Sequence, residues 1–453
     1  MNSSEKDHHY ATLQHDSIGI EQTPTVCSRN SDLETTAEKI DIGVFGDEEN
    51  AAIRYQTMSW PMVAILMIAE IVSNGMLSLP SAIAAVGLVP GVLLIIFLGS
   101  CHLGLFALYT AFILVDFKLN HPEVHNMGDA GRIMGGSILR EILSAGTVIF
   151  AIAAAGSQLL AGQIALSTLA NNRLCLMLAT GIFTIPTMML SFPRTLDQLS
   201  WLCIPSCISI LIAGIVGMAA AANHPVADRQ LVAANSSNFY DAFLAVTNPI
   251  FAYAGHFMFF IMISEMKRPA DAKKSACVLQ GFATVFYVIF GVVMYVYLGP
   301  NVASPAFSSL PSKWAKIAYG IAIPNLLVTG SLNSHTAAKL VFVRLFRGSS
   351  HINQHTYKGW STWTILVIVV NGVAFTLAIG VPIFSYFVSI VASLFASWYT
   401  YGIVGAFWLF DAYHGMGKGK INGVYGVKAW KGNPTRFIVN TFTFLAGSFM
   451  CVA

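Results

Sequence analysis

The stretch Ala69-Glu70-Ile71-Val72-Ser73-Asn74-Gly75-Met76-Leu77-Ser78-Leu79-Pro80 decides how this sequence is read. It sits inside an apolar run at about residues 59–86, long enough to cross a hydrocarbon layer roughly 30 Å thick. A carboxylate, polar side chains, a glycine and a proline near the middle of such a run predict an interrupted helix. Unwound backbone in lipid leaves N–H and C=O groups unsatisfied at several kcal/mol each, so a break survives only where protein, water or a ligand completes it. A second run, 241–266, carries the same signal: Thr247-Asn248-Pro249 leads into Phe251-Ala252-Tyr253-Ala254-Gly255-His256 at mid-depth.

Working outward, the chain has 453 residues, 55% hydrophobic and only 10% charged. Soluble domains carry about 25% charged residues, so most of this surface does not face water. Apolar runs fall at about 59–86, 89–116, 139–168, 174–192, 198–222, 241–266, 275–299, 315–343, 361–380, 384–410 and 436–452. The expectation is an all-α polytopic membrane protein with eleven transmembrane helices and its termini on opposite sides. With the first tail inside, inner loops hold sixteen Lys and Arg, among them Lys118, Arg194, Lys267, Arg347, Lys418 and Lys420, against Arg173, Arg229, Lys313 and Lys316 outside. That bias predicts a cytoplasmic N-terminus and an extracellular C-terminus. The sequon Asn235-Ser236-Ser237 then lies in an outer loop, and Asn2-Ser3-Ser4 in the cytoplasm.

Residues 1–56 lack an apolar run and are rich in Ser, Thr, Asp, Glu and His, which predicts a disordered cytoplasmic tail open to regulators; residues 57–453 form the transmembrane domain. The net charge of +3 gathers into no basic block, so no nucleic-acid partner is expected. Seven cysteines are scattered singly. Those within apolar runs (Cys101, Cys203, Cys207, Cys277) read as small buried hydrophobes, and no metal site is expected.

The two interruptions fall in the first and sixth runs. Five spans separate them, so they cross in opposite directions, as an inverted repeat requires. Helices 1–5 (about 57–222) and 6–10 (about 241–410) form the two halves, with an extra eleventh helix at about 436–452. Half-helix N-termini turn free N–H groups and a positive dipole end toward the bilayer centre, where they hold a carboxylate; exposed carbonyls at the C-termini receive an ammonium. A zwitterion satisfies both. The predicted substrate site is Ser73, Asn74, Gly75, Met76, Phe251, Ala252, Gly255 and His256, walled by Phe251, Tyr253, Phe257 and Met76, with no acidic side chain clearly placed for a cationic substrate and no arginine for an anionic one. Neutral amino acids follow as substrates.

The residues Glu70 to Ala82 resemble the first-helix signature of the amino acid/auxin permease family. Phe251-Ala252-Tyr253-Ala254-Gly255-His256, continuing to Ser264-Glu265-Met266-Lys267-Arg268-Pro269, is similar to that family's sixth helix. The segment from Pro324-Asn325-Leu326-Leu327 to Ala337-Ala338-Lys339 most resembles the neutral amino acid permeases of filamentous fungi. The resemblance covers about residues 50–450. It implies a LeuT-like 5+5 inverted-repeat fold of the amino acid–polyamine–organocation superfamily, with discontinuous helices 1 and 6, and secondary active transport of neutral amino acids coupled to protons at the plasma membrane. Sodium-coupled relatives use an asparagine ligand where this chain has Ala69. A methyl group cannot coordinate a cation, so the coupling ion implied is the proton and no other cofactor is needed.

A charge at mid-bilayer costs about 2.5–3.5 kcal/mol on insertion scales, so each ionisable residue needs a reason. Glu70 precedes the first break and Lys339 lies in the cytoplasmic half of helix eight. The family fold makes helices one and eight neighbours, which suggests a Glu70–Lys339 pair whose protonation changes with transport; a permanent ion pair, or a Lys339 head extended to the interface, is the alternative. His256 is a rival proton site. His102 and His335 read as core histidines; Glu265, Lys267 and Arg268 as a gate or topology anchor; Asp116, Asp241 and Asp411 as solvated span ends. No His-Glu-x-x-His run or defined triad supports an intramembrane enzyme. An amino-acid-sensing receptor and a vacuolar transporter of the same family are the alternatives.

Overall fold

The computed structural model describes residues 52–99, 106–227, 229–235, 238–416 and 425–452. The greater part of the predicted tail, Cys101, His102, Lys418, Lys420, the Asn2 sequon and the Ser236 and Ser237 of the other sequon lie outside the described residues, as does the Asp241 side chain. Among the described residues every regular element is a helix, apart from a single bridge between Met58 and Met266.

The first apolar run folds as α1 (Trp60–Ile71) and α2 (Asn74–Val86), bent by 50° across Val72 and Ser73. Helices α3 (Leu88–Gly99) and α4 (Phe106–Asn120) follow. Helix α5 (Met127–Leu169) starts twelve residues before the predicted run and is interrupted at Gly135 and Gly136, where Gly136 takes φ 69°. Next come α6 (Leu176–Leu190), α7 (Leu196–Asn223), α8 (Phe239–Ala252), α9 (Phe259–Ser264) and α10 (Ala272–Leu298). They are followed by α11 (Ser312–Phe346), α12 (Tyr357–Gly380), α13 (Phe384–Val391), α14 (Ile403–Tyr413), α15 (Val427–Gly432) and α16 (Pro434–Val452). Between α13 and α14 the backbone relaxes into two π-helical turns, Ala392–Ala396 and Trp398–Gly402.

Among the described residues eight segments are long and apolar enough to cross a membrane, and the bent α1–α2 pair makes nine. Two of the eleven predicted spans are represented by shorter apolar helices, Leu88–Leu98 and Leu176–Leu190, and by length alone these do not qualify. Large apolar side chains face outward along the bundle, including Leu93, Ile142, Trp201, Val285, Ile365 and Phe442. In water such a surface would aggregate; against lipid it is the expected exterior.

Helix α11 packs most extensively on α5 and then on α7, while α2 lies along α8. The α5 face is built from Ala151, Ala154, Ala155, Ser157, Ala161 and Ala165, all buried. Small residues of this kind let helix backbones approach closely where lipid supplies no hydrophobic drive. They put the polar stripe of α11 (Asn325, Thr329, Asn333) next to the end of α1. There Thr329 donates to the Ala69 carbonyl at 2.8 Å and Asn325 at 3.3 Å.

Candidate functional site

The first interruption is open. The Val72 amide still reaches the Ile68 carbonyl at 2.8 Å, and the Ser73 amide folds back to Ile71 at 3.0 Å. Ser73 then adopts φ −147°, ψ −114°, and α2 starts at Asn74 with no side-chain cap. The amides of Asn74, Gly75 and Met76 therefore have no carbonyl one turn back. The side chains beside them are held by α5: Ser73 donates to Gln158 Oε1 at 3.2 Å, and Asn74 donates to Ser157 Oγ at 3.3 Å.

The second interruption is tight. Helix α8 ends at Ala252, and a 3-10 turn at His256–Met258 leads into α9. Amides of Tyr253, Ala254 and Gly255 donate to Pro249, Phe251 and Tyr253 at 3.2, 3.1 and 3.1 Å. The two interrupted spans meet at Gly75, where a Cβ would stand only 2.5 Å from Ala252 Cα. Gly255 backs onto the first break, and a Cβ there would lie 2.5 Å from Ile71 Cδ1 and 2.7 Å from Glu70 Oε2.

Between the breaks lies a cavity of about 20 Å³, lined by Glu70, Ile71, Asn74, Gly75, Phe150, Ala154, Gln158, Phe251, Ala254, Phe257 and Asn333. That is room for about one water. The walls are closed by Phe150 and Phe257, whose ring centres stand 4.4 Å apart, with Phe395 stacked behind Phe150 at 5.8 Å. Admitting an amino acid requires these rings to move.

Of the predicted site, Asn74, Gly75 and Phe251 line the cavity, and Ser73, Ala252 and Gly255 form its frame. Met76 and His256 turn away. Met76 Sδ lies 3.6 Å from where a Cβ on Gly214 of α7 would be. His256 faces α4, its Nε2 donating to the Ala107 carbonyl at 2.8 Å and lying 3.1 Å from Thr110 Oγ1, with its ring stacked on Phe259 at 4.7 Å. Tyr253, expected as a wall, donates instead toward Ile95 O and Thr284 Oγ1, each at 3.2 Å. His256 and Phe257 are consecutive in the 3-10 turn, about 120° apart, so Phe257 reaches the cavity while His256 faces α4.

The expectation that the pocket lacks a well-placed acidic side chain is corrected: Glu70 lines it. Its carboxylate is within hydrogen-bonding reach of Asn333, and among the described residues nothing donates to Oε2. The Glu70–Lys339 pair is corrected as well. Lys339 forms a buried ion pair with Glu265 and lies 4.5 Å above the Tyr55 ring. The reason is depth: Lys339 follows Asn333 by six residues, about 9 Å further along α11, and Glu70 sits at the level of Asn333.

Of the three residues read as a gate or topology anchor, Glu265 is buried, whereas Lys267 and Arg268 are exposed. Its Oε2 also accepts from the Leu196 amide at 3.2 Å, placing a carboxylate at the N-terminus of α7. Ile53 and Tyr55, read as tail, are buried here; Ile53 bonds Asn353 at 3.1 Å and Tyr55 bonds Ile352 at 3.3 Å. Asp411, read as solvated, is buried against His121 Nε2 at 2.8 Å, and Asp116 pairs with Lys273 at 2.5 Å. His335 packs edge-on to Trp363 as a core histidine.

Two interrupted spans that face one another across a small cavity place the chain in the LeuT-like fold of membrane transporters. The chain is similar to solved structures of that fold. One is Mhp1, a nucleobase-cation-symport-1 family transporter in a closed conformation with bromovinylhydantoin bound (TM-score 0.53, 13% identity, 90% of this chain and 94% of that one). Another is MhsT in complex with L-phenylalanine (TM-score 0.55, 12% identity, 88% of this chain and 100% of that one). These likenesses establish the fold alone. The chain belongs to the transmembrane amino acid transporter protein family, whose model matches residues 56–410. It is 30% identical over 358 residues to the N amino acid transport system protein of Neurospora crassa, covering 77% of this chain and 75% of that protein. It is 28% identical over 378 residues to a transmembrane transporter of Gibberella moniliformis, covering 80% and 78%. The protein is therefore a membrane amino acid transporter and not an enzyme. Helix α16 lies beyond the matched region.

Proposed function

We propose that this protein is a proton-coupled symporter of neutral amino acids working by alternating access, with Glu70 as the proton site. The observation that carries the reading is that Glu70 is the one ionisable side chain among the residues lining the cavity, one residue before Ile71 where α1 ends. A carboxylate left uncompensated there is costly, and a proton removes the cost. Cargo and proton then bind together: the substrate carboxylate on the amides of Asn74, Gly75 and Met76, its ammonium toward the carbonyl ends of α1 and α8. With Glu70 protonated, the lining carries no net charge, which favours a neutral amino acid over a cationic one. Phe150, Phe251 and Phe257 suit an apolar side chain.

Closure on the side that the charge bias assigns to the cytoplasm comes from Tyr55, Glu265 and Lys339; opening requires that buried group to separate. Residues 57–222 and 241–410 act as the two repeats, the N-terminal tail is a target for cytoplasmic regulators, and the plasma membrane is the site of action, with the vacuolar membrane as alternative.

The test is uptake of a labelled panel of neutral amino acids into proteoliposomes with an imposed pH gradient, with and without sodium. The expected result is accumulation driven by the proton gradient and indifferent to sodium. Glu70→Gln should lose gradient-driven accumulation by about 100-fold, and its pH dependence, while retaining counterflow exchange. Sodium-dependent uptake, or an unaltered pH profile in Glu70→Gln, would refute the assignment.

A further inference from the structure

Tyr287 on α10 is fully buried, and its hydroxyl stands 2.8 Å from the Ile71 carbonyl and 2.9 Å from the Ala252 carbonyl. These are the last residues of α1 and α8, the half-helices that end at the two breaks. A phenol carries one hydrogen, and a carbonyl carries none. Three oxygens from three helices therefore share a single proton, at the point where the two negative dipole ends converge.

The neighbouring Tyr253 offers a control within the same protein. It packs edge-on to Tyr287 at 5.3 Å and also reaches two acceptors, Ile95 O and Thr284 Oγ1. Thr284 owns a hydroxyl proton and can donate in return, so no shortage arises there. At Tyr287 the proton must be shared or must alternate. Gly75 confirms that the arrangement is close, since even a methyl group would collide with Ala252 Cα.

We infer that Tyr287 is a positioning residue that couples the two interrupted spans, its one phenolic proton pinning the carbonyl ends of α1 and α8 together. The hydrogen lies between the two carbonyls, so one α10 hydroxyl tethers both break ends, and its removal frees both at once. This follows from the fold and does not depend on which cargo is carried.

Hydrogen exchange on the full chain, purified without substrate, tests it. Tyr287→Phe removes only the hydroxyl and keeps the ring. The expected result is faster exchange, by about tenfold, in peptides covering residues 66–76 and 250–258 together, the scale of one buried hydrogen bond. Tyr253→Phe, whose hydroxyl reaches Ile95 and Thr284 but not the end of α1, should leave residues 66–76 unchanged. Acceleration of one peptide alone, of neither, or equally in both variants would overturn the coupling. Uptake kinetics give a second readout, with KM raised about tenfold in Tyr287→Phe and Vmax within about twofold of the original. A protein that transports no amino acid yet exchanges as described would refute the proposed cargo and leave the coupling standing.

Discussion

The breaks in the first and sixth spans arise from similar sequence signals and solve the same problem differently. At Val72–Ser73 the chain bends by 50° and leaves the first amides of α2 open. At Tyr253–Gly255 every amide keeps a local acceptor within 3.2 Å. Anion binding should therefore rest on the first break, while the second supplies a carbonyl end and aromatic walls. A pair of interruptions need not be a pair of equal half-sites.

The largest effect bearing on this contrast is expected at the foot of the half-helix that follows the second break. Lys339→Met leaves the buried Glu265 carboxylate without its ammonium partner and should destabilise by about 3–5 kcal/mol. Thermal unfolding would measure this, and adding Glu265→Met should recover most of it. Glycine substitutions come next. Gly75→Val meets Ala252 backbone, which cannot yield, and should cut uptake more than about 100-fold. Gly255→Ala meets the side chains of Ile71 and Glu70 rather than backbone, and these can shift, so about tenfold is expected; equal losses would erase the difference between the breaks. Smallest is Ser73→Ala, which removes the bond to Gln158 and should raise KM about three- to fivefold, roughly one net hydrogen bond.

The first break was legible because Ser73, Asn74 and Gly75 stand in an otherwise apolar run, and no plain membrane helix accommodates them. The partner of Lys339 was not legible. Glu265 reads as a span-end residue, and only the 3-10 turn at His256–Met258 and the short α9 set its depth. Phe150, Gln158 and Asn333 were missed because α5 reads as a small-residue packing face and α11 as one long helix. Tyr287 was hidden among Phe282, Phe286 and Phe290, where a single hydroxyl leaves no periodic trace.

Direct observation of cargo at the breaks is the sharpest test of the central claim. A structure with a saturating small neutral amino acid should place its carboxylate within about 3 Å of the amides of Asn74, Gly75 or Met76, with Phe150 and Phe257 parted around it. Cargo bound elsewhere, or α1 and α2 running as one continuous helix beside it, would contradict the account.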